Sequence, residues 1–321
     1  MNMKTMSIHG AIMNFFRHDL GLVEALEKRM NDYERQGKVN SYYRVRSAKK
    51  AFEDFCGGKD LCITAITPDW LKSCEKYWRA RGKSTTTVLI YMKVLRKETN
   101  ELLRIGKMDS RNNPFGKEKY NMPSPQSRKL ALKIDQIRSI ASYSGNATIE
   151  RYRDLWLFSY LCNGINFRDL LFLRYRNVIG NEICFYRAKT FRSMSMPHEI
   201  RAAYTPLMKS IVSRWGNQRE SPDTFLFKFA RGDEDPFEAD ALVRKVTSLC
   251  NRNMRRLSEI LEIPVFTTYS ARHSFATVLN RNGVDLKYIS DCLGHSSLKM
   301  TETYLAGFTE EDRIKYSELL L

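Results

Sequence analysis

The chain has 321 residues, 43% hydrophobic and 28% charged, which is typical of a folded protein with room for two domains and excludes a disordered chain. Lysine and arginine number 53 against 36 acidic residues, and the net charge of +17 favours a polyanion such as nucleic acid as the partner. No apolar run approaches the roughly 20 residues of a membrane span, and seven scattered cysteines predict reduced thiols in the cytoplasm, not a zinc site.

Four helices are predicted at 21–108, after a short leader at 1–20. Apolar residues recur in them at three- and four-residue steps. Asn40-Ser41, Thr67 before Pro68, and Ser84 are expected to begin the second, third and fourth helices. We therefore predict a helical DNA-binding domain. Its cationic residues are candidates for contacts with the DNA backbone: Lys49, Lys50, Lys83, Lys93, Arg96 and Lys97.

Residues 109–128 are rich in proline, basic and without periodicity, which predicts a linker between domains. Asn112-Asn-Pro114 and Met122-Pro-Ser-Pro125 are its clearest markers. The second domain is then expected to cover 129–321.

The second domain is predicted to be mainly α with a small antiparallel β-sheet. Asn177–Arg187 has an extended pattern around a turn at Gly180-Asn181. A polar turn at 188–193 then leads to a return strand at Met194–Ile200. The helices are expected at Ala131–Ser142, Ile149–Cys162, Asp169–Leu173, Ala203–Trp215, Ala239–Leu261 and Glu310–Leu321.

The most informative stretch lies near the C-terminus. Thr268-Tyr-Ser-Ala-Arg-His-Ser-Phe-Ala-Thr277 is expected to begin a helix carrying Arg272, whose guanidinium can bind two phosphate oxygens. Leu293-Gly-His-Ser-Ser297 presents His295 from a tight turn, and Tyr304 follows on the next helix. A cation, an imidazole and a phenol together in a basic protein indicate chemistry on a phosphodiester.

These motifs resemble the tyrosine recombinases of the phage-integrase family, and the resemblance covers both domains. It implies that Tyr304 attacks a DNA phosphate to form a 3′-phosphotyrosyl bond, without metal or other cofactor. It further implies that Arg272 binds the phosphate and that His295 contacts the phosphate or assists the nucleophile. Lys189, on the polar turn, matches the general acid for the 5′-oxygen, although it could also be a solvated turn residue.

Two positions depart from the family pattern. Asn166, after Gly164-Ile165, stands where the first-box arginine is usual, and Tyr269 stands where a histidine or lysine is usual. Integrases and invertases of Bacteroides-type mobile elements are similar in both respects. Tyr269 could still donate a hydrogen bond to phosphate, whereas His273 is expected to be structural. Arginines that could replace the missing cation are Arg168, which is closest in sequence, Arg187 and Arg192.

The resemblance implies double-stranded DNA as partner and a homotetramer on two DNA sites, and accessory DNA-bending proteins are further candidate partners. The short leader favours inversion or resolution over directional integration. The last helix, with Leu319-Leu-Leu321, is expected to dock onto a neighbouring subunit or onto its own domain. Two alternatives stay open: a DNA-binding protein without catalysis, and a topoisomerase-like enzyme that relaxes supercoils.

Overall fold

The structure is a computed structural model that describes residues 20–125, 130–191, 198–295, 297–305 and 317. The chain divides into two compact units, Met1–Ser127 and Arg128–Leu321, and each has its own hydrophobic core. The predicted fold class, mainly helical with one small antiparallel sheet, is confirmed. No helix of the described residues is long and apolar enough to cross a membrane.

The first unit is built from four long helices whose starts are set by local hydrogen bonds. The side chains of Thr67 and Ser84 accept bonds from backbone N–H groups three residues ahead, as predicted. The predicted start at Asn40-Ser41 is wrong, because the helix begins one residue earlier and no side chain caps it. The helices are α1 (Leu22–Arg35), α2 (Val39–Cys56), α3 (Pro68–Ala80) and α4 (Thr85–Arg104).

Large side chains between these helices form the first core. The rings of Phe52 and Trp78 meet edge to face with centroids 5.2 Å apart, and both side chains are almost fully buried. The indole N–H of Trp78 donates to the carbonyl of Ala51 at 3.2 Å, so its polar atom is satisfied in the interior. Burying a side chain of this size stabilises the fold by about 1.5–3 kcal/mol.

The interpretation of 109–128 as a linker is wrong for its first part. Phe115 and Tyr120 are buried in the first core. The ammonium group of Lys119 donates to three backbone carbonyls, those of residues 110, 111 and 113. This segment therefore belongs to the helical unit. Its two buried aromatic residues are too few to produce a periodic pattern, so composition alone indicated a linker.

The second unit contains the predicted sheet, with strand order β1-β2-β3 and antiparallel neighbours. Gly180 adopts a φ of 60° in the turn between β1 and β2, as its position predicted. Ile183 of β2 pairs with Val178 on one side and Ala202 on the other. The strands are β1 (Val178–Ile179), β2 (Glu182–Phe185) and β3 (Ile200–Ala203).

The described residues of the second unit also form nine helices. Two predictions need correction. The polar turn after β2 is one helical turn, and the return strand begins at Ile200, where it was expected to end. The helices are α5 (Ile134–Ser142), α6 (Ala147–Leu161), α7 (Phe167–Leu171), α8 (Ala188–Phe191), α9 (Pro206–Trp215), α10 (Pro236–Ile260), α11 (Thr268–Arg281), α12 (Leu286–Cys292) and α13 (Leu298–Glu302).

Several predictions fall on residues that the structure leaves undescribed. Residues 1–19 of the predicted leader at 1–20 and residues 192–197 lie outside the described residues, and Ser317 is the one described residue of the predicted final helix. The docking of Leu319–Leu321 and the role of Arg192 therefore stay predictions.

Candidate active site

The helix α11 is fixed at its start by buried hydrogen bonds. The indole N–H of Trp156 donates to the carbonyl of Thr267 at 2.9 Å, and the side chain of Asn251 accepts from the N–H of Thr268 at 2.8 Å. Residues 270–277 are buried without interruption. Arg272 therefore lies inside the unit, with only 3% of its surface exposed.

Gly164 lies directly against the backbone of Arg272. Its φ is 61°, and a Cβ atom at this position would lie 2.6 Å from the Cα of Arg272. Only glycine fits both conditions. The carbonyl of Gly164 accepts a hydrogen bond from Nη1 of Arg272 at 3.1 Å. The Gly-Ile-Asn segment and the Ala-Arg-His segment thus meet in space.

The guanidinium of Arg272 donates hydrogen bonds to backbone carbonyls, and one of its N–H donors has no acceptor among the described residues. Nη2 donates to the carbonyl of Leu293 and lies 3.1 Å from Nε2 of His295. Its Nε is buried, and no described residue accepts its hydrogen bond. Burial, followed by the charge of Arg187, lowers the pKa of Arg272 to about 10. The group therefore still carries its charge at neutral pH.

Arg187, which follows β2, supplies a second buried guanidinium at this place. Its Nη1 donates to the carbonyls of Leu293 at 3.2 Å and Gly294 at 3.3 Å. Its Nε also has no hydrogen-bond acceptor among the described residues. Gly294, with φ of 61°, permits this approach, because a Cβ there would lie 3.0 Å from Cδ of Arg187. Two guanidinium groups thus converge on one turn.

Arg168 does not occupy this place, although it is nearer in sequence to the first box. It lies on α7 and lines a separate cavity of about 270 Å³ with Asp169 and Tyr186. Asn166 precedes α7 and hydrogen-bonds Asp169. Of the two described candidates for the missing cation, Arg187 lies beside Arg272 at this turn, and Arg168 does not.

His295 is a neutral imidazole with a defined tautomer. Its burial, followed by the charges of Arg272, Arg187 and Lys189, lowers its pKa to about 3. Nη2 of Arg272 can only donate, so Nε2 of His295 must accept. The proton is then on Nδ1, which donates to Oγ1 of Thr301 at 2.9 Å. His295 thus presents a lone pair towards the guanidinium.

Two histidine rings and a guanidinium group lie around the ring of Tyr304, and its backbone carbonyl is hydrogen-bonded. The ring centroids of His273 and His295 lie 5.0 Å and 4.9 Å from that of Tyr304, and the guanidinium carbon of Arg272 lies 5.3 Å from it. Nδ1 of His273 is 3.0 Å from the backbone carbonyl of Tyr304 and must be the donor. This agrees with the prediction that His273 is structural.

The hydroxyl of Tyr304 accepts a hydrogen bond from that of Tyr269 at 2.9 Å. Burial opposes ionisation of Tyr304, but the Tyr269 bond and the charges of Arg272 and Arg187 outweigh it, so its pKa lies below the ordinary value. Burial and the bond to Tyr304 raise the pKa of Tyr269. The pair thus has a defined donor and a defined acceptor.

Lys189 lies exposed on α8, two residues beyond Arg187. Its charge acts on His295, which indicates that it faces the same site. The turn is anchored by Asp169, whose carboxylate accepts from the backbone N–H of Ala188 at 3.0 Å. Tyr186 and Phe191 flank the lysine, and their exposed rings are 5.5 Å apart.

The cationic residues predicted in the first unit differ in their availability. Lys49 forms ion pairs with Glu27 and Glu53 at 2.8 Å and 3.1 Å. Lys97 donates to the hydroxyl of Tyr33 and lies over its ring. Four of the predicted cations are exposed and take no part in the ion pairs described for this unit: Lys50, Lys83, Lys93 and Arg96.

The donor set of the site suits an anion. Arginine and lysine side chains only donate hydrogen bonds, and at this site the Nε donors of Arg187 and Arg272 have no acceptor among the described residues. Within the described ranges, no group of three or more His, Cys, Asp and Glu side chains could hold a metal ion. The geometry therefore fits a bound phosphodiester next to a tyrosine hydroxyl.

Comparison with known proteins agrees with this geometry. Residues 131–311 match the model of the phage integrase family, and residues 21–120 match that of the phage integrase SAM-like domain. The chain belongs to the phage integrase family. A tyrosine recombinase XerC of Rhodospirillum centenum is 41% identical over 91 residues, or 28% of this chain and 23% of the relative. Another, of Rickettsia canadensis, is 22% identical over 58% of this chain and 59% of the relative.

Solved structures of integrases share the fold of this chain. The Tn1549 transposon integrase in complex with a circular intermediate DNA has a TM-score of 0.63 at 13% identity, covering 92% of this chain and 98% of that one. A lambda integrase dimer bound to a COC′ core site has a TM-score of 0.64 at 15% identity, covering 94% and 81%. The resemblance to Bacteroides-type elements stays a prediction.

Sequence reasoning missed two residues that support this site. Thr301 fixes the tautomer of His295, and Asp169 anchors the turn with Lys189. A polar residue on the short helix before Tyr304 was a weak signal for the first. An acid three residues after Asn166 was the signal for the second. Neither signal identifies the group that the residue contacts. His295 lies before the helix that carries Thr301, and Ala188 lies 19 residues after Asp169 on another helix.

Proposed function

We propose that this member of the phage integrase family is a site-specific DNA recombinase that cleaves and rejoins DNA through a 3′-phosphotyrosyl intermediate at Tyr304. The observation that carries the proposal is the convergence of the Tyr304 hydroxyl with Arg272, Arg187 and His295. A phenol is a poor nucleophile at neutral pH unless neighbouring charges favour the phenolate. The two arginines supply that charge.

In the cleavage step, Tyr304 Oη attacks the phosphorus, a Tyr–O–P bond forms, and the bond to the 5′-oxygen breaks. The phenolic proton passes to Nε2 of His295, which first gives up its hydrogen bond from Nη2 of Arg272 as the guanidinium turns to the phosphate. The approach of an anionic phosphate raises the basicity of this imidazole, because it offsets the cationic charges beside it. Lys189 gives its proton to the leaving 5′-oxygen. The reverse steps rejoin the strand, so no external energy source is needed.

Arg187 takes the role that a first-box arginine would have. Its buried guanidinium and that of Arg272 bind the non-bridging phosphate oxygens and stabilise the charge of the transition state. The unused Nε donors of both residues support this assignment. Asn166 instead acts through Asp169 on the turn that bears Lys189.

The helical unit binds double-stranded DNA. The sequence predicted this unit at 21–108, and its packing extends it to Met122. Lys50, Lys83, Lys93 and Arg96 are the residues that we assign to phosphate contacts. Lys49 and Lys97 contribute less, because their ammonium groups already bind partners of the protein. We place this activity in the cytoplasm, where chromosomal DNA and reduced thiols coexist; all seven cysteines are free.

The working form is a homotetramer that joins two DNA sites. A lambda integrase tetramer bound to a Holliday junction has a TM-score of 0.61 to this chain, which supports the assembly. Inversion, resolution and integration share the same cleavage chemistry. We favour inversion or resolution of a DNA segment in a mobile element, with DNA-bending proteins as candidate helpers.

The test uses a duplex recovered from random-sequence DNA by binding selection. A nick near the cleavage position lets the short 5′-hydroxyl fragment diffuse away and traps the covalent complex. The wild-type protein should give a protein–DNA band that survives denaturation, and Tyr304→Phe should bind the same duplex without forming the band. Binding without a covalent band from wild type would identify a DNA-binding protein without catalysis. Relaxation of supercoiled plasmids lacking the selected site would identify a topoisomerase-like enzyme.

A further inference from the structure

The position of Tyr269 points to a role beyond those just assigned, on the assumption that Tyr304 is the nucleophile. Tyr269 lies three residues before Arg272 on α11, so both side chains leave the same face of the helix. Its hydroxyl meets that of Tyr304 at 2.9 Å. From the sequence, a hydrogen bond from Tyr269 to phosphate was one open role for this residue.

A second residue of α11, His273, contacts both Tyr269 and Tyr304. The edge of the Tyr269 ring meets the ring of His273, with centroids 4.9 Å apart and planes at 81°. His273 binds the backbone carbonyl of Tyr304 at 3.0 Å. The helix α11 thus holds the nucleophile at two points, the carbonyl and the hydroxyl.

We propose that Tyr269 is a positioning residue for the nucleophile, which donates a hydrogen bond to Tyr304 Oη and stabilises its phenolate. The oxygen of Tyr304 is thereby held in the same subunit's site before DNA arrives. A histidine or lysine at this position would add a cation to the site, whereas Tyr269 adds a neutral donor.

The charges around Tyr304 explain why a neutral donor suffices. The two buried guanidiniums already provide cationic charge, and a third cation would repel them. The phenol of Tyr269 carries no charge, so it donates a hydrogen bond without that repulsion. Its acceptor is the oxygen of Tyr304, whose phenolate form the guanidiniums favour. The titratable groups that face Tyr304 are Tyr269, Arg272 and His273 of α11, Arg187 after β2, and His295 after α12, and the charge of Lys189 on α8 acts on His295.

The test measures the ionisation of residue 304 without DNA. A 3-fluorotyrosine is incorporated at 304, and its fluorine resonance is titrated in the full chain. Tyr269→Phe should move the midpoint upward by about one pH unit, because the phenolate loses its donor. Tyr288→Phe is the matched control, since Tyr288 is 59% exposed on α12, and should leave the midpoint unchanged. Equal midpoints in the wild type and Tyr269→Phe would overturn the proposal.

A reciprocal measurement guards against a local rearrangement in Tyr269→Phe. With the fluorinated residue at 269, Tyr304→Phe should move the midpoint downward, because a neighbouring phenolate no longer opposes ionisation. An unchanged or higher midpoint would contradict the pairing. Both titrations are made without DNA, so they judge this proposal even if no cleavage substrate is found.

The cleavage reaction separates this role from a contact with phosphate. With the nicked duplex, Tyr269→Phe should slow covalent capture about tenfold at pH 7 and approach the wild-type rate as the pH rises past the midpoint at 304. A lost phosphate contact would lower the rate by the same factor at every pH. A pH-independent loss would therefore assign Tyr269 to the phosphate and refute the role proposed here.

Discussion

Arg187 and Arg272 donate hydrogen bonds to the same backbone carbonyl, that of Leu293. This carbonyl stands at the end of α12, where helix carbonyls lack helical partners and favour cations. The helix end therefore gathers two guanidiniums that would otherwise repel each other in the interior. A phosphodiester entering between them would complete the neutralisation.

Replacing Arg187 should abolish most cleavage. We expect Arg187→Ala to slow covalent capture of the nicked duplex by about 10²–10³-fold, the usual effect of removing a transition-state donor. Arg168→Ala is the matched control, because Arg168 lines another cavity. Its rate should stay within about threefold of the wild type. A larger loss of rate in Arg168→Ala than in Arg187→Ala would indicate that Arg168 supplies the missing cation.

A methyl group at Gly164 should destabilise the second unit. The Cβ atom of Gly164→Ala would lie 2.6 Å from the Cα of Arg272, whereas Gly283→Ala meets nothing within 4 Å at a similar positive φ. Both variants share the backbone strain, so their difference isolates the collision. We expect Gly164→Ala to lose about 1–3 kcal/mol more free energy of unfolding than Gly283→Ala. Urea unfolding measures both, and equal losses would contradict the close approach.

Lys189 should be required only when the leaving oxygen needs a proton. We expect Lys189→Ala to slow cleavage of the ordinary duplex by about 10²–10⁴-fold. A duplex with sulfur in place of the bridging 5′-oxygen should be cleaved at nearly the wild-type rate, since a thiolate leaves without protonation. Asp169→Ala should show a smaller loss with the same rescue, because Asp169 anchors the lysine's turn. Absence of rescue in Lys189→Ala would remove its role as acid.

The tautomer of His295 should depend on Thr301. Thr301→Val keeps the shape of this fully buried side chain but leaves Nδ1–H of His295 without an acceptor. We expect cleavage to fall about tenfold, because the other tautomer loses the lone pair on Nε2. Thr301→Ser, which keeps the hydroxyl, should retain most activity. Equal rates for the two variants would argue against a proton acceptor at Nε2.

His295 should also make stability fall in acid. Its pKa of about 3 in the folded chain lies below the ordinary 6.5, so the unfolded chain binds the extra proton between these values. Stability from this group is therefore complete above about pH 6.5 and declines as the pH falls towards 3. Melting temperatures from pH 7 to pH 4 should fall less steeply in His295→Gln than in the wild type. Parallel slopes would refute the neutral imidazole.

The surface of α4 should govern the salt dependence of DNA binding. Lys93→Ala and Arg96→Ala should each reduce the slope of log K against log salt by about 0.9. Arg104→Ala on the same helix is the control, because Arg104 already pairs with Glu101. Fluorescence anisotropy at several salt concentrations measures the slopes. The assignment fails if Arg104→Ala changes the slope as much as Arg96→Ala.

Local sequence determined much of this protein. The hydroxyls of Thr67 and Ser84 begin their helices through bonds to residues only three positions away, so the pattern alone predicts them. The spacing of Arg272, His295 and Tyr304 likewise predicted a shared site. Short helices joined by tight turns limit how far these residues can separate.

Only the tertiary structure decided the second arginine and the partner of Tyr269. Arg187 reaches Leu293 across 106 positions of the chain, and Tyr269 meets Tyr304 across 35. Such contacts depend on the packing of β3 and α11 against α12, and of α12 against α13. A sequence fixes which donors exist, but their partners follow from where the packed backbone directs each side chain.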